Sequence, residues 1–400
     1  MPHHKYLIVG GGMAADAAVR GIRELDEEGR ILIVTEEPHP PYARPPLSKG
    51  LWKDGDEASI WRDTEELGVD IHVGRRVTRI DPDDHTVTGD RGVIYTYQKL
   101  LLATGGEPVK LADASPQVMY FRSLEDYRRL RKMAREEESF VVVGGSFIGS
   151  ELAAALALQG KDVTMLFPEE GICRGVFPPS LSDFLTSYYR ERGVDVRPGV
   201  GVASVRRSAR FLLVATDEES TQTLRADGVV AGIGIRPNDV LADTAGLDVV
   251  DEEAGGGIIV DAHMRTSAED VYAAGDAAAV WCPPLGKRMR FEHEDQALST
   301  GLHAGRAMAG ADEEYDRIPF FYSDLFDLGY EAVGELDPSL QVVEDWADEF
   351  RKGVLYYLDD GRLRGVLLWN VWGKLKQARA LIRSGEPLSV SSVRGRISLG

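Results

Sequence analysis

The stretch Gly10-Gly11-Gly12-Met13-Ala14-Ala15 lies between an apolar segment, 5–9, and an alanine-rich segment, 14–24. The stretch Gly144-Gly145-Ser146-Phe147-Ile148-Gly149 repeats this arrangement after the apolar segment 140–143. Turns of this kind bring the backbone close to a pyrophosphate, because small residues leave room and the following helix N-terminus offers N–H groups and a positive dipole end. One nucleotide fold needs one such turn, so two turns predict two dinucleotide sites.

Each turn lies within a pattern that predicts a complete βαβ unit. In the first unit, a strand at 31–34 ends before Glu36, about 20 residues past the glycines, where a ribose hydroxyl needs an acceptor. Glu37 is the alternative acceptor. In the second unit, a helix at 148–159 precedes a strand at 163–167.

The end of the second unit favours one nicotinamide cofactor. Its last strand is followed by Glu169 and Glu170, whereas the 2′-phosphate of NADPH would favour an arginine there. Acidic residues at this position therefore favour NADH, although Lys161 and Arg174 are close in sequence.

Composition excludes several classes of protein. The chain has 400 residues, 43 glycines and a formal net charge of −19. At roughly 150 residues per domain, this length predicts two to three domains. The acidic balance argues against nucleic-acid binding, because phosphate backbones require an excess of Lys and Arg. No apolar run reaches membrane-spanning length and no signal-peptide core is present, so a soluble, cytoplasmic protein is expected.

The two cysteines argue against disulfide chemistry. Cys173 and Cys282 are widely separated and neither lies in a C-x-x-C pair, so both are expected to be structural. A thiol–disulfide reductase is therefore disfavoured. No Cys/His cluster predicts a zinc or iron–sulfur site, and no bound metal is expected.

The most specific segment is Pro41-Tyr42-Ala43-Arg44-Pro45-Pro46-Leu47-Ser48-Lys49-Gly50-Leu51-Trp52. It resembles the flavin-contacting loop of the FAD-dependent pyridine-nucleotide oxidoreductases of the ferredoxin-reductase type, and of apoptosis-inducing factor and its prokaryotic relatives in particular. The resemblance runs nearly end to end. Its other segments are Ala103-Thr104-Gly105-Gly106, Leu166-Phe167-Pro168-Glu169, Val271-Tyr272-Ala273-Ala274-Gly275-Asp276, Phe321-Tyr322-Ser323-Asp324 and Leu368-Trp369-Asn370.

Together the patterns and the resemblance imply an α/β fold with two Rossmann-like, three-layer ββα nucleotide-binding domains and a C-terminal α+β domain. The expected domains are an FAD-binding domain in two segments, 1–112 and 245–319, an NADH-binding domain, 113–244, and the C-terminal domain, 320–400.

The resemblance assigns parts of FAD to particular residues. It implies that Gly10, Gly12 and Ala15 bind the pyrophosphate. Glu36 would bind the adenosine ribose, and Asp276 would hydrogen-bond the ribityl chain. The complete set implied to contact FAD is Gly10, Gly12, Ala14, Ala15, Glu36, Arg44, Lys49, Ala103, Thr104, Gly105, Gly275, Asp276, His293 and Trp369.

Three residues are implied to take part in catalysis. Lys49 would lie near the reactive N5 edge of the flavin and pair with Glu151, since a cation stabilises reduced flavin and a carboxylate limits the cost of burying it. Phe147 would shield the flavin and swing aside for the nicotinamide. Each residue has a structural alternative. Lys49 could be a solvated loop lysine, Glu151 an acid that complements the helix dipole, and Phe147 a core phenylalanine.

The residues implied to contact the nicotinamide nucleotide are Gly144, Gly145, Ser146, Phe147, Ile148, Glu151, Glu169 and Gly234. Ser146 replaces the second glycine of the turn and narrows the approach to the pyrophosphate, which affects NADH affinity first. His293 matches a position close to the nicotinamide, or is a surface histidine beside three acids. Trp369 would stack near the exposed side of the flavin, or is a core aromatic.

The expected function is hydride transfer from NADH to FAD, followed by electron transfer to a separate acceptor: a ferredoxin or rubredoxin, a quinone, or oxygen. The alternative is a redox-responsive protein in which NADH and FAD form a stable charge-transfer complex that controls homodimerisation or partner binding. A run of basic residues could steer an acidic iron–sulfur partner or could be a solvated helix face. The run comprises Lys374, Lys376, Arg379, Arg383, Arg394 and Arg396.

Overall fold

The computed structural model describes residues 3–217 and 222–399. Its α-helices are α1 (Met13–Arg23), α2 (Leu124–Glu136), α3 (Phe147–Leu158), α4 (Pro179–Glu191), α5 (Val240–Thr244), α6 (Glu294–Met308), α7 (Leu375–Ser384) and α8 (Val390–Val393).

The strands before the second glycine-rich turn are β1 (His3–Val9), β2 (Ile31–Val34), β3 (Asp70–His72), β4 (Val77–Asp81), β5 (Thr86–Gly89), β6 (Ile94–Leu102), β7 (Gly106–Pro108), β8 (Met119–Tyr120) and β9 (Ser139–Val143). The strands between this turn and helix α6 are β10 (Asp162–Phe167), β11 (Asp195–Pro198), β12 (Val202–Ser208), β13 (Phe211–Thr216), β14 (Thr223–Ala226), β15 (Gly228–Ala231), β16 (Ile235–Pro237), β17 (Ile258–Ile259), β18 (Val271–Ala273), β19 (Ala278–Cys282) and β20 (Lys287–Met289). The C-terminal strands are β21 (Phe320–Leu325), β22 (Leu328–Gly334), β23 (Gln341–Asp348), β24 (Lys352–Asp359) and β25 (Arg362–Trp369).

The chain divides into two compact units, each built from several segments. Unit 1 comprises Met1–Arg44, Asp56–Glu107 and Arg236–Pro319, and unit 2 comprises Pro45–Gly55, Pro108–Ile235 and Phe320–Gly400. The three-domain division expected from the sequence stays a prediction.

Unit 1 is organised around a parallel sheet. β1 pairs in parallel with β2 and β6, and β6 pairs in parallel with β18. The register places Val9 beside Leu102, and Leu102 beside Ala273, so three strands end at one edge. In open α/β sheets, ligands bind outside the carboxyl ends of the strands, and this edge is therefore the expected site.

Small residues let two helices of unit 1 approach backbone to backbone. A Cβ added at Gly301 would lie 2.3 Å from the carbonyl oxygen of Ala14, and one at Gly305 would lie 2.1 Å from that of Ala18. A larger side chain at either position would separate α6 from α1. Close packing on α6 thereby fixes the helix that follows the first glycine turn.

Unit 2 contains a second parallel sheet and an antiparallel one. The parallel sheet has the order β11-β10-β9-β15-β8, and the register places Val143 beside both Leu166 and Ala231. A three-stranded antiparallel sheet, β12-β13-β14, belongs to the same unit. The C-terminal residues form a five-stranded antiparallel sheet, β21-β22-β25-β24-β23, with α7 packed on β22 and β25.

The structure confirms both predicted βαβ units and the mixed α/β class with a C-terminal α+β segment. The sequence also predicts two separate strands, at 93–97 and 99–103, but the structure has one continuous strand there, β6. Within the described ranges, no helix combines the length and the apolar character needed to cross a membrane.

Candidate active site

The first glycine-rich turn has a backbone that only small residues allow. Gly10 has φ +113°, and a Cβ there would lie 2.0 Å from the carbonyl oxygen of Ala103. Gly12 is the N-cap of α1 and makes no side-chain cap, so the first N–H groups of the helix face a position where an anion can bind. A Cβ at Gly12 would meet nothing closer than the Arg44 guanidinium at 3.9 Å, which leaves open space before the turn.

The end of β6 lies beside this turn and leads into Ala103, Thr104 and Gly105, whose contact with FAD stays a prediction. The Thr104 hydroxyl donates to the carbonyl oxygen of Asn238 at 2.7 Å, and the Asn238 N–H donates to that of Gly105 at 2.9 Å. Asn238 belongs to none of the sequence motifs described above. Its segment fixes the path of the chain as it leaves the sheet.

The end of β18 reaches the same place. Gly275 has φ +74°, and a Cβ there would lie 2.9 Å from the Cβ of Ala14, which is buried like Ala15. The next residue, Asp276, is also buried. A carboxylate next to a phosphate-type turn suits a polyol hydroxyl, which can donate to it.

Arg44 provides a cation at the same turn and is held by two neighbours. Its guanidinium pairs with Glu37 and donates to the Tyr42 hydroxyl at 3.2 Å, while that hydroxyl donates to Glu37 at 2.5 Å. Burial opposes the charge, but Glu37, Tyr42 and Asp276 together raise the pKa of Arg44. Arg44 therefore stays charged.

The two candidate ribose acceptors have different environments. The Glu36 side chain is 69% exposed, with Arg76 at 3.9 Å, whereas Glu37 is engaged with Arg44. The role assigned to Glu36 stays a prediction. Together, the uncapped helix, the open turn, a held cation and a buried carboxylate fit the pyrophosphate and polyol chain of FAD.

The second turn repeats this geometry in unit 2. Gly144 has φ +119°, and a Cβ there would lie 2.3 Å from the carbonyl oxygen of Gly232; one at Gly145 would lie 2.5 Å from the Phe167 ring. Ser146 is the N-cap of α3, exposed and without a side-chain cap. Its hydroxyl therefore leaves the helix N–H groups available to a nucleotide phosphate.

Charges near the end of β10 agree with the acidic pattern of the sequence. Glu169 is exposed, and the Arg174 guanidinium lies 2.9 Å from Glu170 and 3.1 Å from Asp183. Arg174 thus shares its charge between two carboxylates. Gly234, with φ +107°, follows β15 at the same sheet edge.

A buried ion pair lies at the start of α3. The Lys49 ammonium is 2.7 Å from Oε1 of Glu151, and their side chains are 12% and 3% exposed. The Ser48 and Ser323 hydroxyls each donate to this carboxylate at 2.5 Å. Lys49 is therefore not a solvated loop lysine. The sequence gives no sign that either serine contacts Glu151.

The predicted aromatic residues occupy different environments. Phe147 and the neighbouring Ile148 are half-buried, and the Phe147 ring packs edge-on against Phe321 at 5.2 Å. Trp369 is fully buried, stacks on Tyr330 and donates through its indole N–H to the Phe350 carbonyl oxygen at 2.9 Å. Core packing accounts for these contacts of Trp369, and its role beside a flavin stays a prediction.

His293 and the two cysteines complete the predicted set. His293 is half-buried and is the N-cap of α6 in unit 1, in a segment where Arg290 donates to the Asp276 carbonyl oxygen at 3.4 Å. Cys173 and Cys282 are both buried. Burial raises the pKa of Cys173 to about 12, which suppresses its reactive thiolate form.

Comparisons with known proteins agree with this geometry. The family model of the pyridine nucleotide-disulphide oxidoreductases matches residues 4–301, and the model of the C-terminal domain of mitochondrion-associated apoptosis-inducing factor matches residues 344–384. The chain is 31% identical to the putative mitochondrial apoptosis-inducing factor 1 of Drosophila melanogaster, an alignment that covers 96% of this chain and 64% of that protein.

Two reductases are similar along nearly their whole length. The ferredoxin reductase subunit of the 5,5'-dehydrodivanillate O-demethylase of Sphingobium sp. is 31% identical, with 96% of this chain and 94% of that one covered. The solved structure of a covalent putidaredoxin reductase–putidaredoxin complex contains a chain that is 29% identical, with a TM-score of 0.87 and coverage of 96% and 94%. The chain therefore belongs to the pyridine nucleotide-disulphide oxidoreductase family, as an FAD-dependent NAD(P)H oxidoreductase of the ferredoxin-reductase type.

Proposed function

We propose that this protein oxidises NADH with bound FAD and passes the electrons to an acidic iron–sulfur protein of the ferredoxin or rubredoxin class. The observation that carries the proposal is the pair of glycine-rich turns, one in each unit, each followed by a helix without a side-chain cap. When bound, FAD accepts a hydride from nicotinamide and releases electrons to a separate acceptor.

In unit 1, we assign the binding of FAD to the first turn. The backbone of Gly10 and Gly12 would receive the pyrophosphate at the start of α1, and Arg44, held by Glu37, would lie along the flavin. Glu36 and Asp276 accept hydrogen bonds from the ribose and the ribityl chain. These residues bind and orient the cofactor.

In unit 2, we assign NADH to the second turn, where Gly144, Gly145 and Ser146 receive its pyrophosphate. Phe147, at the first position of α3, would shield the flavin and move aside for the nicotinamide. Lys49, held in place by Glu151, would supply a positive charge that favours reduction of the flavin. Orientation contributes most of the rate, because hydride transfer needs no protein acid or base.

The preference for NADH over NADPH rests on Glu169 and on the engagement of Arg174 by Glu170 and Asp183. A 2′-phosphate would meet carboxylates here, and the Arg174 guanidinium is already paired with two of them. Stopped-flow reduction with each nucleotide tests this proposal. We expect NADH to bleach the flavin at lower concentrations than NADPH, and equal values would contradict the assignment.

The acceptor proposal rests on the basic surface of α7. Lys376 and Arg383 are exposed there, and Arg396, beyond the end of α7, pairs with Glu386 at 2.7 Å. In a chain with net charge −19, a local basic surface can steer an acidic partner. Lys376→Glu combined with Arg383→Glu should raise the KM for ferredoxin, with a smaller effect at high salt.

Two controls make the acceptor test specific. Charge reversal at the exposed Lys132 and Arg135 of α2 changes net charge equally elsewhere in unit 2 and should leave the KM for ferredoxin unchanged. Reoxidation of NADH-reduced protein by ferredoxin, rubredoxin, a quinone and air is then compared side by side. Slow reoxidation by all four acceptors, with an NADH-dependent change in sedimentation, would refute the reductase proposal.

A further inference from the structure

The carboxylate of Glu151 is the meeting point of three segments that are distant in sequence. Lys49 and Ser323 both contact Oε1, at 2.7 and 2.5 Å, and Ser48 contacts Oε2 at 2.5 Å. Ser48 is separated from Glu151 by 103 positions and Ser323 by 172. All these residues belong to unit 2.

Both serines are buried with the carboxylate they contact. A buried carboxylate is costly unless its oxygens accept hydrogen bonds, and hydroxyl donors to an ionised acceptor are short and strong. Each oxygen of Glu151 accepts one serine hydroxyl, which fixes the plane of the carboxylate as well as its position. A single lysine contact would leave the carboxylate free to rotate about its terminal bond.

The two serines also act next to Lys49 itself. Ser48 directly precedes Lys49, so its hydrogen bond anchors the backbone from which the lysine side chain extends. Ser323 directly follows Tyr322, whose ring centroid lies 5.5 Å from the Lys49 ammonium. The dipeptides Ser48-Lys49 and Tyr322-Ser323 therefore contact both partners of the ion pair. Their serines bind the carboxylate, and the Tyr322 ring lies beside the ammonium, so the positions of both charged groups are restricted.

We propose that Ser48 and Ser323 are positioning residues for flavin reduction, acting through Glu151 on the Lys49 ammonium. This inference rests on the proposed function, in which Lys49 stabilises the reduced flavin. Ser323 lies on β21, so the C-terminal sheet takes part in setting the electrostatic environment of the reaction rather than only presenting a docking surface.

The test compares Ser48→Ala, Ser323→Ala and Ser323→Thr in the FAD-loaded full-length protein. We expect each alanine variant to slow flavin reduction by NADH about tenfold, the effect of one strong hydrogen bond to a charged group, with the Kd of NADH within about twofold of wild type. The midpoint potential of bound FAD should become more negative, because the ammonium is held less firmly. Ser323→Thr, which keeps the hydroxyl, should restore both values.

A matched control separates positioning from simple stabilisation. The Ser180 hydroxyl donates to Glu344 at 2.7 Å, a serine–carboxylate hydrogen bond in the same unit that is outside the proposed site. Ser180→Ala should leave the reduction rate and the midpoint potential unchanged, whatever its effect on Tm. If Ser323→Ala does not fold, Ser48→Ala tests the same carboxylate independently.

The outcomes are distinguishable. Alanine variants that lower Tm but keep wild-type reduction rates and potentials would overturn the inference and leave the proposed function intact. A wild-type protein whose flavin is not reduced by NADH would overturn the proposed function itself. Loss of rate in Ser323→Thr equal to that in Ser323→Ala would also count against positioning by the hydroxyl.

Discussion

Replacing Glu151 with glutamine should strongly destabilise unit 2. The substitution keeps the side-chain volume but leaves the Lys49 ammonium, 12% exposed, without a charged partner. Breaking a buried ion pair by changing one member costs about 3–5 kcal/mol, because the remaining charge is uncompensated. The amide oxygen still accepts one of the two serine hydroxyls, so we expect the lower end, about 3 kcal/mol.

Differential scanning calorimetry of the full chain measures this effect. For a unit of about 220 residues, 1 kcal/mol corresponds to roughly 2–4 °C in Tm, so Glu151→Gln should lower the transition of unit 2 by about 6–12 °C. Glu386→Gln is the matched control, because it removes a partner from Arg396 in a pair whose side chains are 48% and 38% exposed. Exposed pairs contribute about 0–1 kcal/mol. Equal shifts for the two variants would refute the reasoning.

Three further predictions concern residues that stabilise the fold of one unit or the other. Gly144→Ala should destabilise unit 2 by more than about 2 kcal/mol. The reason is that Gly144 has φ +119° and the new Cβ would lie 2.3 Å from the Gly232 carbonyl oxygen. An unchanged Tm would contradict this prediction. Asp16 is fully buried and accepts hydrogen bonds from Arg62 at 2.5 Å and from Thr64 at 2.8 Å. Asp16→Asn should therefore lower the free energy of unfolding, measured by urea titration, by about 3 kcal/mol. A decrease of less than about 1 kcal/mol would contradict this prediction. Burial lowers the pKa of His4 below 6.5, so the unfolded chain binds a proton that the folded unit excludes. The free energy of unfolding therefore falls as the pH drops through and below that value. Over the same pH range the Tm of His4→Leu should fall less than that of wild type, and equal pH slopes of Tm in calorimetry would argue against this account.

Local patterns were sufficient to predict the elements that carry the two nucleotide turns. The strands at 5–9, 31–34, 140–143 and 163–167 are observed within two residues of their predicted ends, because each is a mainly apolar run with a glycine or a charged residue next to at least one end. Helix α4 was not predicted. Its buried face includes Ser182 and Thr186, whose hydroxyls bond to backbone carbonyl oxygens, and such residues interrupt the apolar period.

The candidate site was predictable only where its residues are consecutive in sequence. The loop that contains Arg44 and Lys49 could be identified by its resemblance to a family motif, and the glycine turns by their spacing. No spacing rule relates Glu151 to Ser323 across 172 positions, since only the antiparallel pairing of β21 with β22 and the packing of that sheet on α3 bring them together. A sequence reader can therefore find the charged pair, but the hydroxyls that fix its geometry are encoded in the long-range packing of the C-terminal sheet. For that reason we expect the C-terminal sheet to influence flavin chemistry as well as acceptor choice.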